Sequence, residues 1–259
     1  MRIVALQILT LYTLMLAGGC ATKGVDPYEK TNRFFYGVND GLDHLIVKPV
    51  SDLYVKIIPS PVRTGLGNAF GNLGYGNVIF NDYLQGKLHQ GFSDLCRMAV
   101  NSTVGVAGIF DVATAWKIPA HQNDFGITLA HWGSKPGPYL VLPVLGPSTF
   151  RDAPGWGVAL ATNPLTYVDA PWEATVPVSA TAFIDARSRG EVFIRFRNEA
   201  AIDPYVFTRD AYLQYRNNLI NEGHPPPDQN LYDIDDNNPT TQPSTQPTTQ
   251  ISPVALHSP

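Results

Sequence analysis

The chain has few charged residues and, beyond its first twenty residues, no long apolar run. Only 15% of its 259 residues are Asp, Glu, Lys or Arg, against about 25% in an average soluble protein. No later apolar stretch approaches the ~18 residues that a membrane-spanning helix needs. The formal net charge of −4 leaves no basic field, which argues against nucleic acid as a partner. A low charge fraction without a spanning segment suits a surface that partly faces lipid.

Recognisable catalytic and metal-binding motifs are also missing. The six histidines show neither the HExxH spacing nor another metal-ligand pattern, and no Gly-x-Ser-x-Gly elbow occurs. Gly65-Leu66-Gly67 is followed by Gly71 with no strand before it, so a dinucleotide fingerprint is not indicated. We therefore predict no cofactor, no metal site and no enzymatic activity.

The first twenty residues carry the parts of an export signal. Arg2 is followed by the apolar stretch 3–16 and then by three small residues, 17–19. The next residue is Cys20, whose thiolate is what a lipoprotein signal needs for acylation. This pattern predicts a lipoprotein signal peptide over 1–19 and a lipid anchor at Cys20, with plain secretion as the alternative. Cys96 would then lack a cysteine partner, and we interpret it as a small buried apolar residue.

The other end of the chain differs in composition from the middle. Residues 225–259 contain eight prolines and neither lysine nor arginine. Such a segment cannot offset its ordering entropy by burial, so we predict a disordered tail rich in Pro, Thr and Gln. The organisation predicted is a signal peptide over 1–19, a folded domain over 20–224 and the tail over 225–259.

The folded domain is predicted to be mainly helical. Asp26-Pro27-Tyr28-Glu29 indicates a helix start, with Asp26 as N-cap and Glu29 completing a capping box. Lys48-Pro49 is expected to end that helix. Further helices are predicted from Pro49, from Ser60-Pro61, over about 179–200 and from Asp203-Pro204-Tyr205.

Two segments depart from the helical pattern. The first contains Gly65, Gly67, Gly71, Gly74 and Gly76; the spacing of Gly67 and Gly71 fits either helix packing in lipid or a glycine-rich helix end in an ordinary core. The second runs from Gly133 to Ser148 and predicts two short extended segments around Pro143, or a loop. That segment could be a flap touching lipid or a buried connection.

Ordered motifs over about residues 26–223 resemble those of the MlaA (VacJ) lipoproteins. The matching stretches are Asp26-Pro27-Tyr28-Glu29 with Asn32-Arg33, Asn68 to Leu73, Tyr83-Leu84-Gln85-Gly86, Arg97 to Gly105, Phe125 to Gly133, Gly137 to Pro143, Ser148 with Arg151-Asp152, and Asp203-Pro204-Tyr205.

The resemblance implies a ring-shaped assembly of amphipathic helices lying in one leaflet, with a short hairpin-like loop. It implies an outer-membrane lipoprotein, lipid-anchored at the periplasmic face, that removes mislocalised phospholipids from the outer leaflet through a central channel. The implied partners are phospholipid, membrane, trimeric porins and the periplasmic lipid carrier MlaC. The alternative is a structural or porin-associated lipoprotein without transport activity.

The resemblance also suggests where a channel or its gate would lie. The first helix would border the channel, and the hairpin-like loop would gate it, which favours the flap interpretation. Arg151 and Asp152 are further polar candidates, although surface salt-bridge partners would look the same in sequence. The candidate channel or gate residues are Phe35, Val38, Asn39, Tyr139, Leu140, Leu142, Pro143, Arg151 and Asp152.

Overall fold

A computed structural model of the chain describes residues 26–169 and 171–222. The predicted signal peptide, the predicted anchor at Cys20 and the predicted tail lie outside these residues. The described part is mainly helical with one two-stranded antiparallel hairpin, so the prediction of a mainly α fold with a short hairpin is confirmed.

The helices and strands follow one another along the chain with short connections. They are α1 (Glu29–Leu42), a π-helix (Asp43–Val47), α2 (Lys48–Ile57), α3 (Ser60–Leu84), α4 (Leu88–Thr103), α5 (Val112–Ala115), α6 (Phe125–His131), β1 (Tyr139–Leu142), β2 (Gly146–Thr149), α7 (Gly155–Thr162), a 3₁₀ helix (Pro164–Tyr167), α8 (Trp172–Arg189), α9 (Glu191–Ala200) and α10 (Pro204–Ile220).

The first helix begins where the sequence predicts, but without the predicted cap. Tyr28 occupies the N-cap position and no side chain caps the helix. The carboxylate of Asp26 instead accepts hydrogen bonds from the side chains of Asn32 and Tyr205. Glu29 pairs with Arg33 one turn later and forms no capping box. The capping prediction was wrong because long-range partners occupy Asp26.

The predicted end of the first helix at Lys48-Pro49 is also corrected. The chain stays helical from α1 through the π-helix into α2, where Pro49 occupies the first turn. A proline in a regular helix clashes with the carbonyl four residues earlier. A wider π turn directly before Pro49 changes that geometry, so the helical path continues.

The glycine-rich segment lies inside the unbroken 25-residue helix α3. A side chain at Gly67 would collide with the guanidinium of Arg189, and a Cβ at Gly76 would lie 2.8 Å from the carbonyl oxygen of Thr162. Gly71 faces open space. Gly67 and Gly76 therefore let α8 and α7 approach α3 closely. This close packing outweighs the low helix propensity of glycine.

The C-terminal helices match the sequence only in part. Asp203 caps α10 by accepting hydrogen bonds from the backbone N–H groups of Tyr205 and Val206, as predicted. The helix predicted over about 179–200 is two helices, α8 and α9, which meet at Gly190.

Burial in the described residues is inverted relative to a water-soluble protein. Nineteen polar or charged residues are buried, whereas only six hydrophobic residues are. In addition, 36 large hydrophobic side chains are exposed. No helix in the described ranges is long and apolar enough to span a membrane. The described helices thus keep polar groups inside and present apolar faces outward.

Candidate functional site

The hairpin has an anchored base and an exposed tip. Tyr139 pairs with Thr149 and Leu142 with Gly146, so the strands are in register without a bulge. Val144 in the turn has φ +67°, and Gly146 at the start of β2 has φ +84°. The side chain of Val144 is 62% exposed and that of Leu145 is 46% exposed, while Tyr139 to Val141 are buried. The tip therefore presents apolar side chains outward from a buried base.

Two asparagines of α1 hold the outer edge of β1. The Asn32 amide donates to the carbonyl of Tyr139 at 2.9 Å and accepts from the N–H of Val141 at 2.9 Å. Asn39, two helical turns later, donates to the carbonyl of Leu142 at 2.9 Å and accepts from the N–H of Val144 at 2.7 Å. A side-chain amide has the same donor and acceptor as a backbone unit. Helix α1 thus satisfies the strand edge as a third strand would.

Aromatic rings pack behind the strand and connect it to α10. Tyr139 lies edge-on to Tyr205 and tilted to Tyr212, with ring centroids 6.2 Å apart in both pairs. Phe35 and Tyr36 of α1 pack against the same cluster. Burial raises the pKa of Tyr139 well above its usual value. The hairpin base is therefore part of the core.

A cavity of about 170 Å³ lies at the junction of α1, the hairpin, α9 and α10. Its polar lining includes the phenols Tyr36 and Tyr139, the cation Arg197 and two carboxylates; the lining residues are Tyr36, Asn39, Asp40, Asp43, Tyr139, Val141, Gly146, Pro147, Ile194, Arg197 and Thr208. The hydroxyls of Tyr36 and Tyr139 are buried with no hydrogen-bond partner among the described residues.

Arg151 and Asp152 belong to a buried ion network, so the alternative that they are surface salt-bridge partners does not hold. Arg151 donates to Asp152 at 2.9 Å, and Arg216 of α10 contacts the same carboxylate at 3.1 Å. Tyr212 donates to it as well, and Arg216 also forms a double contact with Asp124. Burial alone would raise the pKa of Asp152, but Arg151 and Arg216 hold that pKa below its usual value.

The structure brings most of the predicted site residues together and separates a few. Phe35, Asn39, Tyr139 and Leu142 meet where α1 packs on the hairpin. Arg151 and Asp152 reach the same region through Tyr212, whose ring packs on Tyr139. Of the nine candidates, Asn39 and Tyr139 line the 170 Å³ cavity. Leu140 is buried, Pro143 is half-buried at the turn and Val38 is exposed. Whether any of these residues lines or gates a channel stays a prediction.

Several residues that build the site were missed in the sequence. Asn32 was noted only as part of a motif, and Arg216 was not noted at all. Asn32 lies seven residues before Asn39, which places both amides on one face of α1. That spacing could have indicated that both amides act together. No local pattern indicates the role of Arg216, because its partners Asp124 and Asp152 are 92 and 64 residues away.

A second polar cluster lies between α3, α4 and the segment before α6. Asp82 and Asp94 are fully buried, and His121 contacts both oxygens of Asp94 at 3.0 Å. Burial and the neighbouring Asp82 raise the pKa of Asp94 to about 6. His121 also lines a cavity of about 470 Å³ together with Asn123, Asp124 and Arg216. Within residues 26–169 and 171–222, no group of His, Cys, Asp or Glu could hold a metal ion.

The remaining cysteine is not a disulfide half in the described chain. Cys96 is a free thiol on α4 and is half-buried, so its interpretation as a small buried residue holds only in part.

Comparison with known proteins identifies the family. A family model described as MlaA lipoprotein matches residues 24–219. The chain belongs to the MlaA lipoprotein family. The intermembrane phospholipid transport system lipoproteins MlaA of Shigella flexneri and Escherichia coli (strain K12) are each 34% identical to it over 239 residues, which covers 87% of this chain and 92% of theirs. The MlaA lipoprotein of Haemophilus influenzae is 30% identical over 231 residues.

A solved structure supports the fold. A chain described under "Structural basis for maintenance of bacterial outer membrane lipid asymmetry" superposes with a TM-score of 0.65 at 28% identity. The match covers 75% of this chain and 98% of that one. The fold of this chain is thus shared with a protein studied for outer membrane lipid asymmetry.

Proposed function

We propose that this chain is an outer-membrane lipoprotein that removes mislocalised phospholipids from the outer leaflet and passes them through a central channel to a periplasmic carrier. Its relatives are named as lipoproteins of an intermembrane phospholipid transport system. The observation that carries the proposal is the inverted burial: polar side chains fill the interior and large apolar ones cover the exterior of the described residues.

The inverted burial supports a position within one leaflet. Amphipathic helices that do not span a bilayer can lie in its plane with their apolar faces among acyl chains. A ring of such helices would surround a polar path for headgroups. Acyl chains on Cys20 would add about 0.8 kcal/mol per buried CH₂ and would fix the leaflet and the orientation.

The hairpin suggests how such a path could be gated. Asn32 and Asn39 tie β1 to α1, and Tyr139 is buried in the core. The movable part would therefore be the tip around Pro143 to Leu145, not the whole segment from Gly133 to Ser148. An apolar tip could move between acyl chains without exposing apolar surface to water.

The expected partners follow from this position. Trimeric porins would contact the apolar outer face, and the carrier MlaC would receive lipid at the periplasmic end. The transfer requires no bond breaking, so we propose a transport function and no catalysis.

The proposal is tested by lipid asymmetry in cells. A strain without the gene should expose more phospholipid in its outer leaflet, measured by labelling amine headgroups with a membrane-impermeant reagent. The full-length chain should restore the low level, and Cys20→Ala should not. Normal asymmetry in the deletion strain would overturn the proposal and favour a structural, porin-associated role. Release of fatty acid or headgroup from labelled phospholipid by the purified protein would favour a hydrolase.

A further inference from the structure

The cavity between α1, the hairpin, α9 and α10 contains polar groups whose bonding is incomplete. Burying a hydroxyl without a partner costs about 1–3 kcal/mol, so native proteins rarely leave such groups unpaired. Here two of them, on Tyr36 and Tyr139, border one cavity. Two unpaired donors in one space point to a ligand that accepts hydrogen bonds.

Charged groups of both signs line the cavity. Arg197 donates to Asp40 and Asn198 through Nε and Nη2, while its Nη1 donates to no described group. Asp40 and Asp43 are the two carboxylates of the lining. Asp43 is held by a double contact with Arg187, and the Oδ1 atom of Asp40 accepts from Arg197 at 2.9 Å. Each carboxylate oxygen can accept a second hydrogen bond.

The balance of charge selects the ligand class. A purely anionic group would meet two carboxylates, and a purely cationic group would meet Arg197. A group carrying both signs can place its anion at Arg197 and the phenols and its cation at the carboxylates. The Tyr36 phenol also lies close to the Thr208 hydroxyl of the same lining, and burial raises the pKa of this phenol.

The size of the cavity limits what enters it. Cavities for whole drug-sized ligands measure about 300–1,000 Å³, whereas an apolar cavity of about 150 Å³ accommodates benzene. The 170 Å³ here can therefore take a headgroup but not acyl chains.

We propose that this cavity binds the zwitterionic headgroup of a phospholipid, with the phosphate at Arg197 and the hydroxyls of Tyr36 and Tyr139 and the ammonium at Asp40 and Asp43. This inference rests on the proposed transport function and adds a headgroup preference to it. The exposed tip of the hairpin beside the cavity would lie among the acyl chains of the same lipid.

The test uses the acylated full-length protein in detergent and the change of both tyrosines to phenylalanine. Dihexanoyl phosphatidylethanolamine and dihexanoyl phosphatidylglycerol are titrated separately by calorimetry. The wild type should bind the zwitterionic lipid at least tenfold more tightly than the anionic one. The Tyr36→Phe/Tyr139→Phe variant should lose tenfold or more of its affinity for the zwitterionic lipid, since a hydrogen bond to a charged group is among the stronger ones. Tyr167→Phe, which removes an exposed phenol elsewhere, should change nothing.

Several outcomes would overturn the inference. Equal affinity of the wild type for both lipids would do so, and so would an unchanged affinity in the double variant. Binding of free phosphoethanolamine without binding of the lipid would assign the cavity to a small soluble ligand. Because removal of an unpaired hydroxyl leaves packing intact, the double variant should unfold no earlier than the wild type. If the wild type restores lipid asymmetry in cells yet shows no headgroup preference, this inference fails while the transport function stands.

Discussion

The interior and the exterior of this molecule use opposite chemistry. Inside, Arg216, Asp152 and Asp124 form ion pairs, and asparagine amides hold the hairpin edge. Outside, whole helix faces are apolar, for example Leu88, Phe92 and Leu95 on α4. In a soluble protein apolar burial supplies most of the folding free energy. Here much apolar surface stays exposed, so hydrogen bonds and ion pairs must specify the fold, and in the proposed function the membrane would supply the apolar environment.

The largest expected effect comes from breaking the polar interior. Arg216→Met would leave the buried Asp152 without one of its two arginine partners and Asp124 without its double contact. Removing one partner of a buried ion pair costs about 3–5 kcal/mol. We expect that loss in the free energy of unfolding, measured in detergent by denaturant titration.

A matched variant removes a cation from the surface. Lys48→Met breaks the exposed pair with Asp52, and exposed pairs contribute about 0–1 kcal/mol. An equal loss in both variants would show that the interior is no more sensitive than the surface.

The second prediction concerns the exterior. Phe92 is 63% exposed on α4, and burying such a side chain in lipid contributes about 1.5–3 kcal/mol. In a chain that carries Cys20→Ala and therefore lacks the proposed anchor, Phe92→Glu should weaken binding to phospholipid vesicles by about tenfold to a hundredfold. Stability in detergent should change little.

The control for that experiment adds the same charge without removing apolar area. Thr31→Glu lies at an exposed polar position of α1 and should leave vesicle binding close to that of the unsubstituted chain. If Phe92→Glu lost as much stability as Arg216→Met, Phe92 would belong to the core and not to the exterior.

The contrast also explains how much of the fold could be predicted from the sequence. Helix starts at Ser60 and Asp203 and the hairpin around Pro143 were predictable, because caps, prolines and glycines act locally. Asp26 carries the same Asp-Pro-Tyr sequence as Asp203 but caps nothing. Its partner Tyr205 is 179 residues away, and no local pattern reveals such a partner.

The candidate site was less predictable than the helices. Arg151 and Asp152 could equally have been surface residues, and only the approach of Arg216 from α10 makes them a buried network. In an apolar core, periodicity marks the inward face. In this chain the apolar periodicity marks the outward face instead, so it identifies helices but not the residues that line the interior.

The third prediction applies where interior and exterior meet, at the hairpin tip. Asn39→Ala removes the two hydrogen bonds to Leu142 and Val144, and each such bond contributes about 0.5–1.5 kcal/mol. We expect a loss of about 1–2 kcal/mol and faster hydrogen exchange at the N–H of Val144. Exchange that stays as slow as in the wild type would show that the tip is held by other contacts.

The smallest expected effect concerns Asp94, a carboxyl group whose ionised form is disfavoured by burial. Burial raises the pKa of Asp94 to about 6 in the fold, above the usual value near 4. The stabilising contribution of a raised carboxyl pKa is complete below the unfolded pKa and is lost as pH rises through about 6. Ionised Asp94 therefore weakens the protein at pH 7.5, and Asp94→Asn should raise stability there by on the order of 1 kcal/mol.

The pH series of the melting temperature between 4.5 and 8 distinguishes the possible roles of Asp94. The groups facing Asp94 are Asp82 and Tyr75 of α3, Arg97 of its own helix and His121. Arg97 is committed to Asp111, whereas the ring of His121 contacts both oxygens of Asp94. The amide introduced by Asp94→Asn could donate to Asp82, whose Oδ2 atom lacks a described partner. The variant should then lose the decline above pH 6, whereas Asp52→Asn at the surface should keep it. A variant less stable than the wild type at pH 7.5 would mean that ionised Asp94 stabilises the fold through His121, and that the polar interior depends on this charge.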